Sequence, residues 1–330
     1  MITSDQLLTT HLRDVSRSFY TTLRVLPSSI RPQISLAYLL ARTTDTIADT
    51  QLVPLDLRLA ALQQLCERIQ GTRTGPLDFG DLVRHQGSPA ERLLLENCQA
   101  SLALLEGFSP ADITLIREVL TTITSGQELD LRRFAGASPE QIKSLEKDAE
   151  LDDYTYRVAG CVGEFWTRLC RAHLFPQAYL KDSWLLAQSV RFGKGLQLVN
   201  ILRDLPADLR QGRCYLPTER LASCGLKPED LLRPGNEPRL RPVYNDYLTK
   251  ADFHLQAGWA YTNALPRGMR VRLACAWPIL IGQETLKLLW ANNVLDPQHR
   301  LKVPRSRIKR LMLRSVLLYP WQGAWRRLVS

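Results

Sequence analysis

The sequence has no CxxC pair, no HxxxH pair and no acidic residue after Asp296. Its seven cysteines (Cys66, Cys98, Cys161, Cys170, Cys214, Cys224 and Cys275) are odd in number and widely scattered. That spread excludes a disulfide framework and a zinc cluster, and it fits a reducing cytosol. The five histidines show no ligand spacing. No apolar run approaches the roughly 20 residues of a membrane span, and Met1-Ile2-Thr3-Ser4-Asp5 lacks the basic-then-apolar start of a signal peptide. Strand-like alternation is scarce. What remains is long stretches of helical periodicity, so the expected fold is all-α.

Nucleotide-binding signatures are missing too. Gly193-Lys194-Gly195 lacks the third glycine of GxGxxG and the GK[ST] ending of a phosphate loop, and it lies in a helical segment. No helix-turn-helix or aromatic-basic ladder supports nucleic-acid binding. The charge balance is nonetheless strongly positive, +10 over 330 residues, which calls for an anionic partner. The excess gathers at the end, in Arg300, Lys302, Arg305, Arg307, Lys309, Arg310, Arg314, Arg326 and Arg327. An amphipathic helix over 304–318, with Ile308, Leu311, Met312 and Val316 on one side, suits an anionic membrane surface. It suits equally a helix packed on the domain with a solvated basic face.

The organising stretch runs from Gln197 to Asp208 and on into Gly212-Arg213-Cys214-Tyr215-Leu216-Pro217. Leu198, Val199, Ile201, Leu202 and Leu205 repeat as on a buried helix. Gln197, Asn200, Asp204 and Asp208 fall three or four apart and line one face. A polar stripe on an apolar helix is costly unless it meets water, a partner or an ion. The design recurs at Tyr38, Arg42, Asp45 and Asp49. Two helices, each with a carboxylate pair and an arginine, could face each other across a cavity and hold Mg²⁺, which accepts one or two carboxylates and completes its shell with water and phosphate oxygens. Asp148 and Asp152 share the spacing, but they lie in an acidic run without an apolar flank and read as a solvated face.

Periodicity and punctuation predict helices at 4–24, from Ser28 or Ser29 as cap to before Pro54, and at 55–70, with 71–89 as a surface loop. Helices at 89–106 and 110–134 follow, the latter capped by Ser109 ahead of Pro110. Ser138-Pro139-Glu140 opens a helix running to about 173, within which Gly160 and Gly163 serve close packing, a bulky ligand, or both. The central helix spans 182–209, with Pro206 expected to kink or end it near Asp204. Residues 211–237 read as a loop, and helices at 241–264 and 270–294 complete a single domain.

Taken in order over about residues 15 to 320, Ser16-Arg17-Ser18-Phe19, the helix from Tyr38 to Asp49, Tyr154 through Gly163, and Gln197 through Pro217 resemble the motifs of the squalene/phytoene synthase family. The resemblance implies a single-domain isoprenoid-synthase helical bundle around a central cavity. It implies head-to-head (1'-1) condensation of two prenyl diphosphates. Asp45, Asp49, Asn200, Asp204 and Asp208 would bind Mg²⁺. Ser16, Arg17, Arg42, Gln197, Asn200, Arg203 and Arg213 would hold diphosphate oxygens. Tyr154 would be the catalytic tyrosine, and Tyr38 and Arg42 would be catalytic residues as well. Phe19, Val158, Gly160, Cys161, Val162, Gly163, Cys275 and Pro278 would line the cavity.

Leu273-Ala274-Cys275-Ala276-Trp277-Pro278-Ile279 is similar to the squalene synthase segment that lines the pocket of the second, NADPH-dependent step. The expectation is therefore a cytoplasmic, monomeric enzyme that joins two farnesyl diphosphates to squalene, with Mg²⁺ and NADPH, peripheral on the inner face of a membrane and without a nucleic-acid partner. The rivals are phytoene, dehydrosqualene or presqualene diphosphate synthesis without reduction, and a non-catalytic membrane-associated assembly factor of the same fold. Two departures bear on the product: Arg157 stands where aromatic residues are frequent, and Glu164 is a charge where the cavity helix is usually apolar.

Overall fold

The computed structural model describes residues 6–16, 19–298 and 301–329. Arg17, Ser18 and Arg300, named above, lie outside the described residues. Helices make up most of the chain, as the periodicity predicts. Among the described residues one two-stranded pair occurs, a parallel pairing of Lys143–Ser144 with Arg213–Cys214. No helix among them is long and apolar enough to cross a membrane. The contacts resolve two compact units, Met1–Arg132 with Phe165–Gln177, and Arg133–Glu164 with Ala178–Ser330.

In the first unit the Arg31–Asp49 helix is central. Leu36, Leu39, Leu40 and Ile47 are fully buried, and this apolar phase leaves Tyr38, Arg42, Asp45 and Asp49 less buried. The predicted serine cap is not used. Ile30 takes the cap position without a side-chain bond, and the Arg31 amide donates to the Pro27 carbonyl (3.1 Å) instead. The Leu55–Gln70 helix ends on Gly71, whose φ of 76° is the left-handed conformation that favours glycine. The expected loop at 71–89 contains a short helix, Gly80–Arg84. The expected 89–106 helix is two, Pro89–Glu96 and Cys98–Leu105, with a break at Asn97. Ser109 does cap its helix, accepting the Asp112 amide at 3.2 Å. Asp112, itself buried, lies 2.7 Å from His173 Nε2 and accepts from Gln33 at 3.2 Å.

The second unit is organised on the Asp182–Leu209 helix, packed against Glu237–Ala264 and Met269–Ala291. Glycines let these backbones approach. A Cβ on Gly163 would run into the Ser189 carbonyl, and one on Gly193 into the Ala159 carbonyl. A Cβ on Gly195 would fall 2.8 Å from His254 Cβ. Gly193-Lys194-Gly195 is therefore a helix crossing.

Pro206 neither ends nor breaks its helix, which runs on to Leu209. Proline removes the amide that would bond to the Leu202 carbonyl four residues earlier. The Tyr244 hydroxyl, from the Glu237–Ala264 helix, donates to that carbonyl at 2.8 Å. The helix thus continues through Asp208.

The helix expected from residue 138 begins at Asp148. The Ser138-Pro139-Glu140 stretch forms a tight bridge between Ser138 and Gln141, followed by the first strand. Gly212, at φ 76°, lies against the Ser138 backbone, and its carbonyl accepts the Lys143 amide at 2.9 Å. The acidic run that follows stays partly exposed, but its carboxylates are partnered. Asp148 accepts from the Tyr247 hydroxyl (2.5 Å), Asp152 from Lys194 (2.7 Å) and Asp153 from Arg157 (2.9 Å).

Candidate active site

The acidic helix of the first unit carries an arginine fixed from two sides. Arg42 pairs with Asp45 one turn along its own helix and with Glu91 on the Pro89–Glu96 helix. Burial works against the guanidinium charge, but Asp45 and then Glu91 outweigh it and hold its pKa above the usual range. Asp45 itself is pushed up to about 6, by burial first and the nearby Asp49 charge second, against the pull of Arg42. Tyr38, one turn before Arg42, stacks on Phe19 with ring centroids 5.1 Å apart. Ser16 is buried, and its hydroxyl donates to the Leu12 carbonyl (2.5 Å).

On the Asp182–Leu209 helix, Arg203 grips both carboxylate oxygens of Asp204, its Nε lying 3.0 Å from Oδ1. Such a fork orients both groups. Gln197 and Asp208 are half-buried and Asn200 is exposed on the same helix. Arg213 is set by the strand pairing that follows, its guanidinium carbon 6.0 Å from the Phe134 ring centroid. Tyr154 stacks on Tyr215 at 5.0 Å, and Phe134 meets the other side of that cluster edge-on at 5.1 Å from Tyr215.

Directly after Tyr154 and Thr155 the helix widens into a π-turn, Tyr156–Gly160. Such bulges recur at functional sites. Gly160 lies against Tyr156, Lys194 and Val190, and Gly163 against the Ser189 backbone. Helix packing thus accounts for both glycines; a ligand role would have to share their surroundings. Cys161 is buried, its thiol donating to the Arg157 carbonyl at 3.0 Å and pushed up to about 12 chiefly by burial. The thiol is therefore neutral. Val158 is half-buried and Val162 exposed; Cys275 is buried and Pro278 half-buried on the Met269–Ala291 helix. The two departures from the family pattern each have a partner. Glu164 accepts from the Tyr156 hydroxyl (3.1 Å), and Arg157 pairs with Asp153.

Sequence reasoning missed Glu91, Tyr215 and Phe134. Tyr215 stood inside a motif already singled out. Glu91 and Phe134 carry no local signal, because their partners are distant in the chain. The donor set at each aspartate pair is oxygen only, which suits a hard cation such as Mg²⁺. Among the described residues no group of three or more His, Cys, Asp or Glu side chains converges as a ready-made metal cage. A pair suffices for Mg²⁺ where substrate supplies further oxygens.

The squalene/phytoene synthase family model matches residues 12–307, which span both units. The chain belongs to this family, whose members are prenyltransferases. It is 31% identical over 292 residues to a presqualene diphosphate synthase of Rhodopseudomonas palustris, covering 88% of this chain and 89% of that one. It is 29% identical to a bifunctional lycopene cyclase/phytoene synthase of Colletotrichum graminicola and 27% identical to a squalene synthase of Schizosaccharomyces pombe. These matches cover 88% and 92% of this chain but only 48% and 63% of those proteins. The fold is shared with a ligand complex of TcSQS (TM-score 0.78, 22% identity, 99% and 97% of the two chains covered) and with a dehydrosqualene synthase (TM-score 0.69, 19% identity, 97% and 98% covered).

Proposed function

We propose that this chain joins two prenyl diphosphates head to head, and that each acidic helix holds one diphosphate. The observation that carries the reading is the repeated station of an arginine locked to an aspartate, Arg42 with Asp45 and Arg203 with Asp204. Asp45 and Asp49 would hold Mg²⁺ at one diphosphate, and Asp204, Asp208 and Asn200 at the other. When bound, Mg²⁺ supplies positive charge to the leaving diphosphate oxygens and so eases cleavage of the allylic carbon–oxygen bond.

The chain's own residues do the rest. Arg42 and Arg203, each held in place by its carboxylate partner, and Arg213 would turn their remaining N–H groups to the other oxygens, so that little reorganisation is needed as charge develops. The C1–O bond of one substrate breaks with its electron pair leaving on the diphosphate. The double bond of the second prenyl chain attacks the allylic cation, and a proton departs. Tyr154 offers its ring face to the cation and its hydroxyl to that proton. Cys161, buried and held neutral by that burial, offers the cation no thiolate.

The finer reading is farnesyl diphosphate as substrate and squalene as product, through presqualene diphosphate, with NADPH as hydride donor. The Gly193-Lys194-Gly195 turn offers a nicotinamide nucleotide no cradle, since helix packing fills it. A second reading stops at presqualene diphosphate; it is favoured by the R. palustris relative, which is matched over 89% of its length. Product analysis separates them. Purified chain is given farnesyl or geranylgeranyl diphosphate with Mg²⁺, with and without NADPH. Squalene formed only with NADPH supports the first reading. Presqualene diphosphate regardless of NADPH replaces it with the second. A C40 product from geranylgeranyl diphosphate alone overturns both.

A further inference from the structure

The π-turn Tyr156–Gly160 begins just after Tyr154 and Thr155, and the Cys161 amide reaches back to the Tyr156 carbonyl to close it. A π-turn fits one extra residue into the helix, so where it sits sets the direction of the side chains beside it. Two bonds tie the turn to its own helix. The Tyr156 hydroxyl donates to Glu164 at 3.1 Å, and Arg157 pairs with Asp153 at 2.9 Å. Both bonds move with the segment and cannot seat it against its surroundings.

Lys194 supplies a hold from outside. It stands on the Asp182–Leu209 helix, which crosses the turn closely because Gly193 lies against the Ala159 carbonyl. Its ammonium donates to Asp152 at 2.7 Å and lies 5.8 Å from the centre of the Tyr156 ring, within reach of a cation–π contact. Its stem packs against Gly160 at the far end of the turn. The Lys194 side chain is only 15% exposed, although Asp152 is 47% exposed. Asp152 and Tyr156 stand two residues before and two after Tyr154, so by helical phase they lie on the side opposite to it. Asp204 follows Lys194 on the same helix, roughly 15 Å further along at 1.5 Å per residue. All of these residues belong to the second unit.

We propose that Lys194 is a positioning residue: by gripping Asp152 and Tyr156 it seats the π-turn and aims Tyr154 relative to the second acidic station. This rests on the reading of Tyr154 as the group that meets the cation. An ion pair with one half-exposed partner adds little to stability. Its effect should therefore appear in turnover rather than in melting temperature.

Steady-state kinetics with farnesyl diphosphate and Mg²⁺, on the full chain, test this. Lys194→Met keeps the stem and removes the ammonium. It should lower kcat by about 10- to 100-fold, the usual cost of losing a supporting partner. KM should stay within about two-fold, because Lys194 does not touch the diphosphate. Asp152→Asn should lower kcat similarly, and the double variant should be no worse than the poorer single one, since both remove the same contact. Lys194→Arg should recover most of the rate. Arg191→Gln, which removes an exposed charge one turn away, should turn over like the parent. Parental kcat in both single variants, additive losses in the double one, or a raised KM with unchanged kcat would overturn the proposal. So would a loss matched by the fraction of unfolded chain in circular dichroism. Tyr154→Phe tells the two readings apart. Normal turnover in that variant removes the role of Tyr154 itself, whereas a slow Tyr154→Phe beside a normal Lys194→Met removes the positioning role alone.

Discussion

Arg42 is ion-paired to Glu91, 49 residues further along the chain. This pairing fixes the side of the guanidinium not taken by Asp45, so under the proposed function Glu91 would position Arg42 for the first diphosphate. Glu91→Gln should retain helix content but lower kcat/KM for the prenyl diphosphate by about 10- to 100-fold, the usual cost of losing a supporting partner. Glu91→Asp should recover part of it. A purely structural role would instead lower the melting temperature and leave kcat/KM of the folded fraction unchanged.

Tyr154 lies flat on Tyr215. Tyr215→Leu should free the Tyr154 ring and slow turnover by up to about ten-fold, the worth of an aromatic pair beyond its buried area. Tyr215→Phe keeps the stack and should be close to normal. Steady-state assays of the two variants side by side decide this.

At Gly163 the Asp182–Leu209 backbone leaves no room for a Cβ. Gly163→Ala must separate two packed helices, and should lower stability by about 1–3 kcal/mol or more. Gly87→Ala, where a Cβ meets nothing within 4 Å, should be neutral. Thermal denaturation of both variants checks the contrast.

Asp112 links stability to pH. Burial alone would raise its pKa, but the bonds from His173 and Gln33 prevail and hold the carboxyl below its ordinary range. A depressed carboxylate contributes stability that is complete above its ordinary value of 3.8 and is lost as pH falls through the lower folded value. The difference in melting temperature between the parent and Asp112→Asn should therefore be largest near neutral pH and shrink as the pH falls below that ordinary value. A difference that is constant or grows with acidity would contradict the assignment.

Much of this fold was readable from local pattern. The Leu55–Gln70, Pro110–Arg133 and Asp182–Leu209 helices follow from apolar phase alone, and so does the placement of Asp45 and Asp204 on faces distinct from their leucines. The errors arose where a distant partner decides. Ser138-Pro139-Glu140 looks like a helix start, but the strand at 143–144 pairs with residues 213–214, far along the chain. Pro206 looks like a break until Tyr244 supplies the missing donor. Asp148 and Asp152 look unpartnered until Tyr247 and Lys194 are folded onto them. Glu91 was invisible for the same reason: nothing near it in sequence announces Arg42.

Both acidic stations are proposed to act through bound cation and arginine to release diphosphate. Pyrophosphate release from farnesyl diphosphate should be measured against Mg²⁺ concentration for the parent, Asp45→Asn and Asp204→Asn, with circular dichroism as the folding control. Release by the parent should depend on Mg²⁺, and it should fall by about 10²- to 10³-fold or more in each variant while helix content is unchanged. Near-parental release in either folded variant, or release by the parent that does not depend on Mg²⁺, would contradict it.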